Sequence, residues 1–348
     1  MDTKKDIRRL SQTEIEDYFK SIGEKPFRAK QVYEWLWKKN AHQFEDMTNI
    51  SKALREQLGD AFQIQPVEVD LLQKSNDGTI KNAVKLHDGN VVESVLIPTD
   101  TRTTACVSSQ VGCSLDCTFC ATAQIKRMRN LTAAEIVDQV VIIDEESKRY
   151  FNRPLSNIVF MGMGEPLLNY NEVISAIKKI TLPEGLGMAP RRITVSTSGI
   201  PKMIEKLADE NLRVNLAVSL HSAREEVRNV IMPFSAKFPL TDLIESLQYW
   251  YQETGLKITF EYIVWGGVND KKEDIDALVR FCKKVPSKVN IIEYNSIDDG
   301  IYKQASEKAI NDYIKALESN NIVVNVRRSR GKDIDAACGQ LANKTGDN

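Results

Sequence analysis

Three thiols fall at x3 and x2 spacing in Cys113-Ser114-Leu115-Asp116-Cys117-Thr118-Phe119-Cys120. Three thiolates so placed can each bind one iron of a [4Fe–4S] cluster, and the fourth iron is then left open to a ligand that the protein does not supply. A tetrahedral zinc site completed by Cys106 is the alternative that the residues alone leave open. The other two cysteines, Cys282 and Cys338, lie far downstream. Cys282, in DALVRFCKKV, sits on an apolar helical face and reads as structural. Cys338, flanked by Gly339 near a polar C-terminus, makes a poor core residue. Taken alone, Cys106 reads as a buried strand cysteine, a common fate for this residue type. The three histidines, His42, His87 and His221, leave little scope for a histidine-based metal site.

Composition narrows the class further. The chain has 348 residues, 42% of them hydrophobic, with 47 Lys and Arg against 48 Asp and Glu. A net charge of −1 excludes a globally basic nucleic-acid binder, so any grip on phosphates must come from local clusters such as Lys126-Arg127-Met128-Arg129 or Arg327-Arg328-Ser329-Arg330-Gly331-Lys332. The N-terminus lacks the apolar run of a signal peptide, and no segment approaches the roughly 18 apolar residues of a membrane span. A cytoplasmic protein without membrane association is expected, and its thiols are expected to be reduced rather than paired in a disulfide framework.

The elements that must position these thiols can be read from periodicity and caps. Residues 1–62 read as a small helical domain, with a capping box at Ser11-x-x-Glu14, Pro26 opening FRAKQVYEWLWKKN, and Thr48 capping NISKALREQL. Residues 63–101 alternate polar and apolar between Asn76-Asp77-Gly78 and Asp88-Gly89 turns, and read as a short β linker segment. From about residue 102 strands alternate with helices: TTACVSS, NIVFMG, RITVST, VNLAVSL, ITFEYIVW, VNIIEYN and NIVVNVRR, with capping boxes at Thr132-x-x-Glu135 and Ser222-x-x-Glu225 opening two of the helices. Such repetition implies a parallel sheet covered on both faces. Six units and a closing strand predict an α/β fold of the partial (β/α)6 barrel type over residues 102–348, against a doubly wound open sheet as the competitor. In such barrels the site assembles beyond the C-terminal ends of the strands. The cysteine loop, Gly164-Glu165-Pro166, Ser196, Ser219-Leu220-His221, Asn295 and Cys338 all fall at or beyond a strand end.

The spacing of the three cysteines, with an aromatic residue before the last, resembles the signature of radical S-adenosylmethionine (SAM) enzymes. GEKPFRAKQVYEWLW, CVSSQVGCSLDCTFCAT, MGMGEPLLNY, RRITVSTSGI, VSLHSA and AACGQLAN narrow the resemblance, over nearly the whole chain, to the RlmN/Cfr family of RNA adenine methyltransferases. That resemblance implies one [4Fe–4S] cluster on Cys113, Cys117 and Cys120, and two SAM molecules per turnover, held by Gly164, Glu165, Ser196, Ser219, Leu220, His221 and Asn295. It implies that Cys338 is methylated and carries the resulting methylene to carbon-2 of adenine, a carbon with no acidic proton for an ordinary route. Cys106 then resolves the protein–RNA adduct by thiol–disulfide chemistry, and Glu93 removes the carbon-2 proton. The implied partners are 23S ribosomal RNA, transfer RNA and a flavodoxin-type electron donor, with the enzyme a monomer. Carbon-8 methylation of the Cfr type is the nearest rival, and MTNISKALR tilts the reading toward carbon-2. A zinc-stabilised RNA-binding protein without catalysis is the rival of another class. The chain departs from the family pattern at Glu293 and Ser296, where prolines are expected, and at Gly266, where an aspartate is usual.

Overall fold

A computed structural model describes residues 4–298 and 300–343. Helices α1 (Gln12–Ser21), α2 (Phe27–Trp37) and α3 (Lys52–Ala61) form the N-terminal unit. The α1 box is reciprocal: Glu14 N–H donates to Ser11 Oγ at 3.2 Å and Ser11 N–H to Glu14 Oε2 at 2.7 Å. For α3 the expectation needs correction, since Ser51 and not Thr48 is the cap, taking the Leu54 amide at 3.4 Å. Ile15, Phe19, Val32, Leu36, Leu54 and Leu58 bury the facing stripes of the three helices. The unit is closed by a two-residue parallel pairing of Lys5–Asp6 with Phe62–Gln63.

The main sheet has ten strands. In chain order they are β1 (Glu68–Lys74), β2 (Ile80–Lys85), β3 (Val91–Pro98), β4 (Thr103–Cys106), β5 (Asn157–Phe160), β6 (Ile193–Thr197), β7 (Asn215–Ser219), β8 (Ile258–Ile263), β9 (Ser287–Ile292) and β10 (Val323–Arg327). They are hydrogen-bonded in that same order, antiparallel from β1 to β4 and parallel from β4 to β10. The seven parallel strands form the partial barrel. Because β10 does not pair with β4, the barrel is open, and β1–β3 extend its sheet on the β4 side.

Helices α4 (Ala133–Phe151), α5 (Tyr170–Thr181), α6 (Pro201–Asp209), α7 (Glu225–Ile231), α8 (Leu240–Thr254), α9 (Lys272–Cys282) and α10 (Glu307–Ser319) connect the strands. Thr132 and Glu135 cap α4 reciprocally. The second expected box is absent: α7 begins at Glu225 without a side-chain cap, and Ser222 Oγ instead takes the Arg224 amide at 3.1 Å in a local turn. Among the described residues no helix is long and apolar enough to cross a membrane.

The N-terminal unit is fixed to the barrel by charge and by aromatic faces. Arg8 Nη1 donates to both carboxylate oxygens of Asp138 on α4, at 2.8 and 2.9 Å, with both residues buried. Arg8 Nη2 reaches Asp6 at 3.3 Å and the Gln65 carbonyl at 2.6 Å. Breaking a buried pair by removing one partner strands the other charge, typically at a cost of about 3–5 kcal/mol. Lys179 of α5 adds a second attachment, its ammonium 4.3 Å from the ring centre of Trp37.

Candidate active site

The cysteine loop is bracketed by a short antiparallel pair, Gln110–Val111 with Arg129–Asn130. Gly112 (φ +72°) makes the entry turn, and a Cβ there would lie 2.7 Å from the Lys126 carbonyl oxygen. Three attachments then hold the loop over α7. The Thr118 amide donates to the Ile231 carbonyl at 3.1 Å, Asp116 accepts the Phe234 amide at 2.9 Å, and Thr118 Oγ1 lies 2.6 Å from the Tyr302 hydroxyl. Phe119 packs edge-on against His221, with ring centres 4.8 Å apart, and tilts over Trp265 at 5.1 Å. An aromatic residue before the last cysteine therefore seats the loop.

Cys113, Cys117 and Cys120 line one cavity at the C-terminal ends of the strands, with about 900 Å³ of empty space including its mouth. Burial pushes the Cys113 thiol up to about 11 and the Cys117 thiol well above its ordinary value, so binding metal at neutral pH must release protons. Backbone donors are in place for a charged sulfur: the Leu115 amide points at Cys113 Sγ at 3.4 Å. Among the described residues no three His, Cys, Asp or Glu side chains converge closely enough to share one ion. A cubane asks for something different, one thiolate per iron around a common wall, and the three loop thiols do line one cavity.

On the facing wall Gly164 has φ +92°, and a Cβ there would lie 2.5 Å from Gln110 Cβ, so only glycine lets the two loops approach this closely. Glu165 is buried and held from both sides. Oε2 accepts from the Ser198 amide (2.8 Å) and hydroxyl (2.7 Å), and Oε1 from the Leu167 amide (3.0 Å). Burial nonetheless raises its pKa, and the Ser198 and Leu167 bonds oppose the rise. Ser196, Ser219 and His221 also line the cavity, whereas Leu220 does not: it is fully buried, with its amide on the Glu261 carbonyl and its own carbonyl taken by Arg228. His221 adopts a left-handed φ of +54°, and Nδ1 accepts the Ile263 amide at 3.2 Å. Burial, reinforced by the Arg228 charge, depresses its pKa to about 3, so the ring is neutral and Nε2 carries the proton.

Cys338 also faces this cavity and is solvent-accessible within it. The flanks of its loop are fastened at several points. The Gly339 carbonyl accepts the Ala121 amide at 2.8 Å, Thr122 Oγ1 donates to the Leu341 carbonyl at 2.6 Å, and Asn295 Nδ2 donates to the Cys338 carbonyl at 3.2 Å. Asn295 Oδ1 is buried without a partner among the described residues, which leaves an acceptor for a ligand's amine or hydroxyl.

Cys106 is buried at the end of β4, and the charge of Cys338 is the next influence on its thiol after burial itself. The two distant cysteines are thus within electrostatic reach of each other, and Cys106 does not line the cavity that the three loop thiols share. Glu93, on β3, is buried against Lys81 at 3.0 Å, and its Oε2 accepts the Ala342 and Asn343 amides at 2.8 and 3.1 Å. It therefore holds the chain just beyond Cys338. Cys282 lies in the core at the end of α9.

Two residues of this region were not singled out in the sequence analysis. Arg228, on α7, is only 2% exposed. Glu261 interrupts the apolar run of β8 and lines the cavity, its carboxylate taking Asn290 Nδ2 at 2.9 Å. A charged residue within a strand buried on both faces was the available clue. Burial pushes Glu261 up to about 7. Because this is above its ordinary value of 4.5, the associated stability is complete below pH 4.5 and is lost as pH rises through about 7. Glu261→Gln, neutral throughout, is expected to be more stable than wild type at pH 8, by up to about 3 kcal/mol, and to lose that advantage toward pH 4.5. Equal melting temperatures at pH 8 would show that the carboxylate is ionised without penalty.

The departures from the family pattern also have structural partners. The Glu293 amide donates to the Arg327 carbonyl at 3.2 Å, a bond that proline could not make, while its carboxylate takes the Ser329 amide at 3.0 Å and pairs with Lys332 at 2.7 Å. The Ser296 carbonyl accepts from Gln340 at 3.1 Å, and the Gly266 amide donates to the Lys303 carbonyl at 3.0 Å. Both basic clusters are partly neutralised. Arg129 pairs with Asp88 and Glu135, and Lys332 pairs with Glu293.

Residues 5–64 match the model of the ribosomal RNA large subunit methyltransferase N-terminal domain, and residues 107–282 match that of the radical SAM superfamily. A probable dual-specificity RNA methyltransferase RlmN of Flavobacterium psychrophilum is 68% identical, the alignment covering 98% of each protein. A dual-specificity RNA methyltransferase RlmN of Geotalea uraniireducens is 44% identical over 97% of this chain and 96% of that protein. The crystal structure of a radical SAM methyltransferase from Sphaerobacter thermophilus superposes with a TM-score of 0.91, at 37% identity over 98% of this chain and 100% of that one.

Proposed function

The chain belongs to the RlmN family of radical SAM RNA methyltransferases, and on that premise we propose that it methylates carbon-2 of adenosine in 23S ribosomal RNA and transfer RNA by way of a methylated Cys338. The observation that carries the reading is Cys338 itself, presented into the cavity that the three loop thiols line, with Cys106 behind it. When bound, a [4Fe–4S] cluster and SAM supply a methyl group and a 5′-deoxyadenosyl radical. Cys113, Cys117 and Cys120 would hold the cluster. Gly164 would admit close approach, Glu165 would receive the SAM amino group, and Ser196, Ser219, His221 and Asn295 would bond its polar groups. Leu220 contributes by shaping the strand end, since its backbone groups are already taken.

Each remaining residue has one task. Cys338 accepts the methyl group and later joins it, as a methylene, to the adenine. Glu93 removes the carbon-2 proton once addition has made it acidic, which requires release of the Ala342 and Asn343 amides that it holds at rest. Cys106 attacks the Cys338 sulfur, so that a Cys106–Cys338 disulfide forms as the sulfur–methylene bond breaks, and the freed carbon keeps that electron pair and takes a proton to become the product methyl group. The Cys106 thiol is pushed far up by burial, so it stays protonated and unreactive until the adduct forms beside it. The N-terminal helical unit, residues 1–62, helps grip the RNA, and an external one-electron reductant of the flavodoxin type feeds the cluster.

Nucleoside mass spectrometry tests the reading. RNA from cells lacking the protein is expected to lose 2-methyladenosine from both RNA classes, and to regain it on complementation. Appearance of 8-methyladenosine instead would assign the chain to the Cfr reaction, and no change in either nucleoside would remove the activity.

A further inference from the structure

We propose that Arg228 is the buried counter-cation of the iron–sulfur cluster, placed beneath the cysteine loop to ease the cluster's reduction. The proposal rests on the cluster reading above and goes beyond it by naming a residue that sets how readily the cluster accepts its electron.

Arg228 lies on α7 and is 2% exposed. Its hydrogen bonds go to uncharged acceptors. Nη1 donates to the Ser219 and Leu220 carbonyls, Nη2 donates to the Ser198 carbonyl at 2.6 Å, and Met232 Sδ lies 3.5 Å from Nη1. Nε has no partner. Among the described residues no carboxylate forms an ion pair with it. Carbonyl dipoles can orient a guanidinium but cannot neutralise it, and a buried cation is ordinarily accompanied by a buried anion.

The cysteine loop is fastened to the chain around Arg228 and would bring negative charge to it. Cys117 lies between two residues tied to the chain around Arg228: Thr118 donates to the carbonyl of Ile231, the last residue of α7, and Asp116 takes the amide of Phe234 just beyond it. Met232, which contacts the guanidinium, lines the same cavity as the three thiols. Of the negative groups that Arg228 senses, Cys117 comes first and the exposed Glu225 second. Three thiolates make a loaded cluster anionic, and reduction makes it more negative by one charge. A fixed, desolvated cation at this position therefore favours the reduced form more than the oxidised one. His221, the titratable ring on the adjoining strand end, feels the same cation and stays neutral, so it does not compete for this role.

Arg228 also clasps three strand-end carbonyls, and the test must separate charge from clasp. Arg228→Gln keeps amide donors and loses the charge, while Arg228→Lys keeps the charge and loses most of the fork. Both are compared with wild type after anaerobic reconstitution, reading iron and sulfide content and the midpoint potential from an EPR-monitored redox titration. Arg228→Gln is expected to hold the cluster but show at least a tenfold lower ratio of reduced to oxidised cluster at a given potential. For one electron that is a shift of about 59 mV to more negative values. Arg228→Lys is expected to stay close to wild type. An unshifted Gln variant, or a Lys variant shifted tenfold, would overturn the proposal and leave Arg228 a clasp. If the Gln variant cannot hold iron, the Lys variant decides alone by the same criterion. Wild-type protein that binds no iron would instead refute the cluster reading, a separate failure.

Discussion

Changing any one of Cys113, Cys117 or Cys120 to alanine is expected to abolish the visible absorbance of the iron–sulfur centre, cleavage of SAM and methylation of RNA together. The three thiols line a single cavity and belong to one short loop, whereas Cys106 does not line that cavity and Cys338 enters it from a separate loop. An iron that loses its protein anchor beside an already open neighbour leaves a cluster held at two corners. The loop itself should survive the change, because Thr118, Asp116 and Phe119 fasten it through groups other than the thiols. The variants should therefore fold with near-native circular dichroism and melting behaviour while binding almost no iron. Full iron content with intact SAM cleavage in any of the three would remove that residue from the ligand set.

The two remaining functional cysteines are expected to fail in opposite ways. Cys338→Ala should be inactive and never become linked to RNA, since no sulfur remains to carry the methyl group. Cys106→Ala should become linked to RNA and stop there, because a thioether adduct persists until a second thiol attacks its sulfur. Denaturing gels with labelled RNA separate the cases: a retarded band for Cys106→Ala under turnover and none for Cys338→Ala. Two purely structural cysteines would produce neither result, only a loss of roughly 1 kcal/mol of stability on truncation to alanine. A retarded band in the Cys338 variant would exchange the roles. No band from a cluster-loaded Cys106 variant would eliminate the covalent route.

The family resemblance named Glu165, Ser196, Ser219, His221 and Asn295, and strand boundaries agreed with it by setting each at or beyond a strand end, where barrel chemistry sits; all but Asn295 line the cavity. The open barrel followed from counting strand–helix units. What could not be read was anything that depends on which carbonyl lies where. Arg228 looks like one more charge on an amphipathic helix until three carbonyls at two strand ends close over it. The placement of Leu220 in the core and not on the cavity wall follows from strand alternation, but its neighbours Ser219 and His221 gave no hint of it. Caps were reliable where box and helix start coincided, at Ser11 and Thr132. They misled at Thr48 and Ser222, where a nearby serine or a local turn captured the available amide. The extent of β1–β3 escaped notice because alternating short segments look alike whether they bridge two units or widen a sheet.

The hydrogen bond from the Ala121 amide to the Gly339 carbonyl joins the residue after the last loop thiol to the residue after Cys338. It makes the two loops mechanical neighbours, so on the proposed reading an adjustment of the first on binding metal would be passed to the second along one peptide unit. Assembly of the metal centre would then also set the aim of Cys338. A chain without its cluster would lack both its source of radicals and the correct line of approach for Cys338, and so would be spared from trapping RNA unproductively.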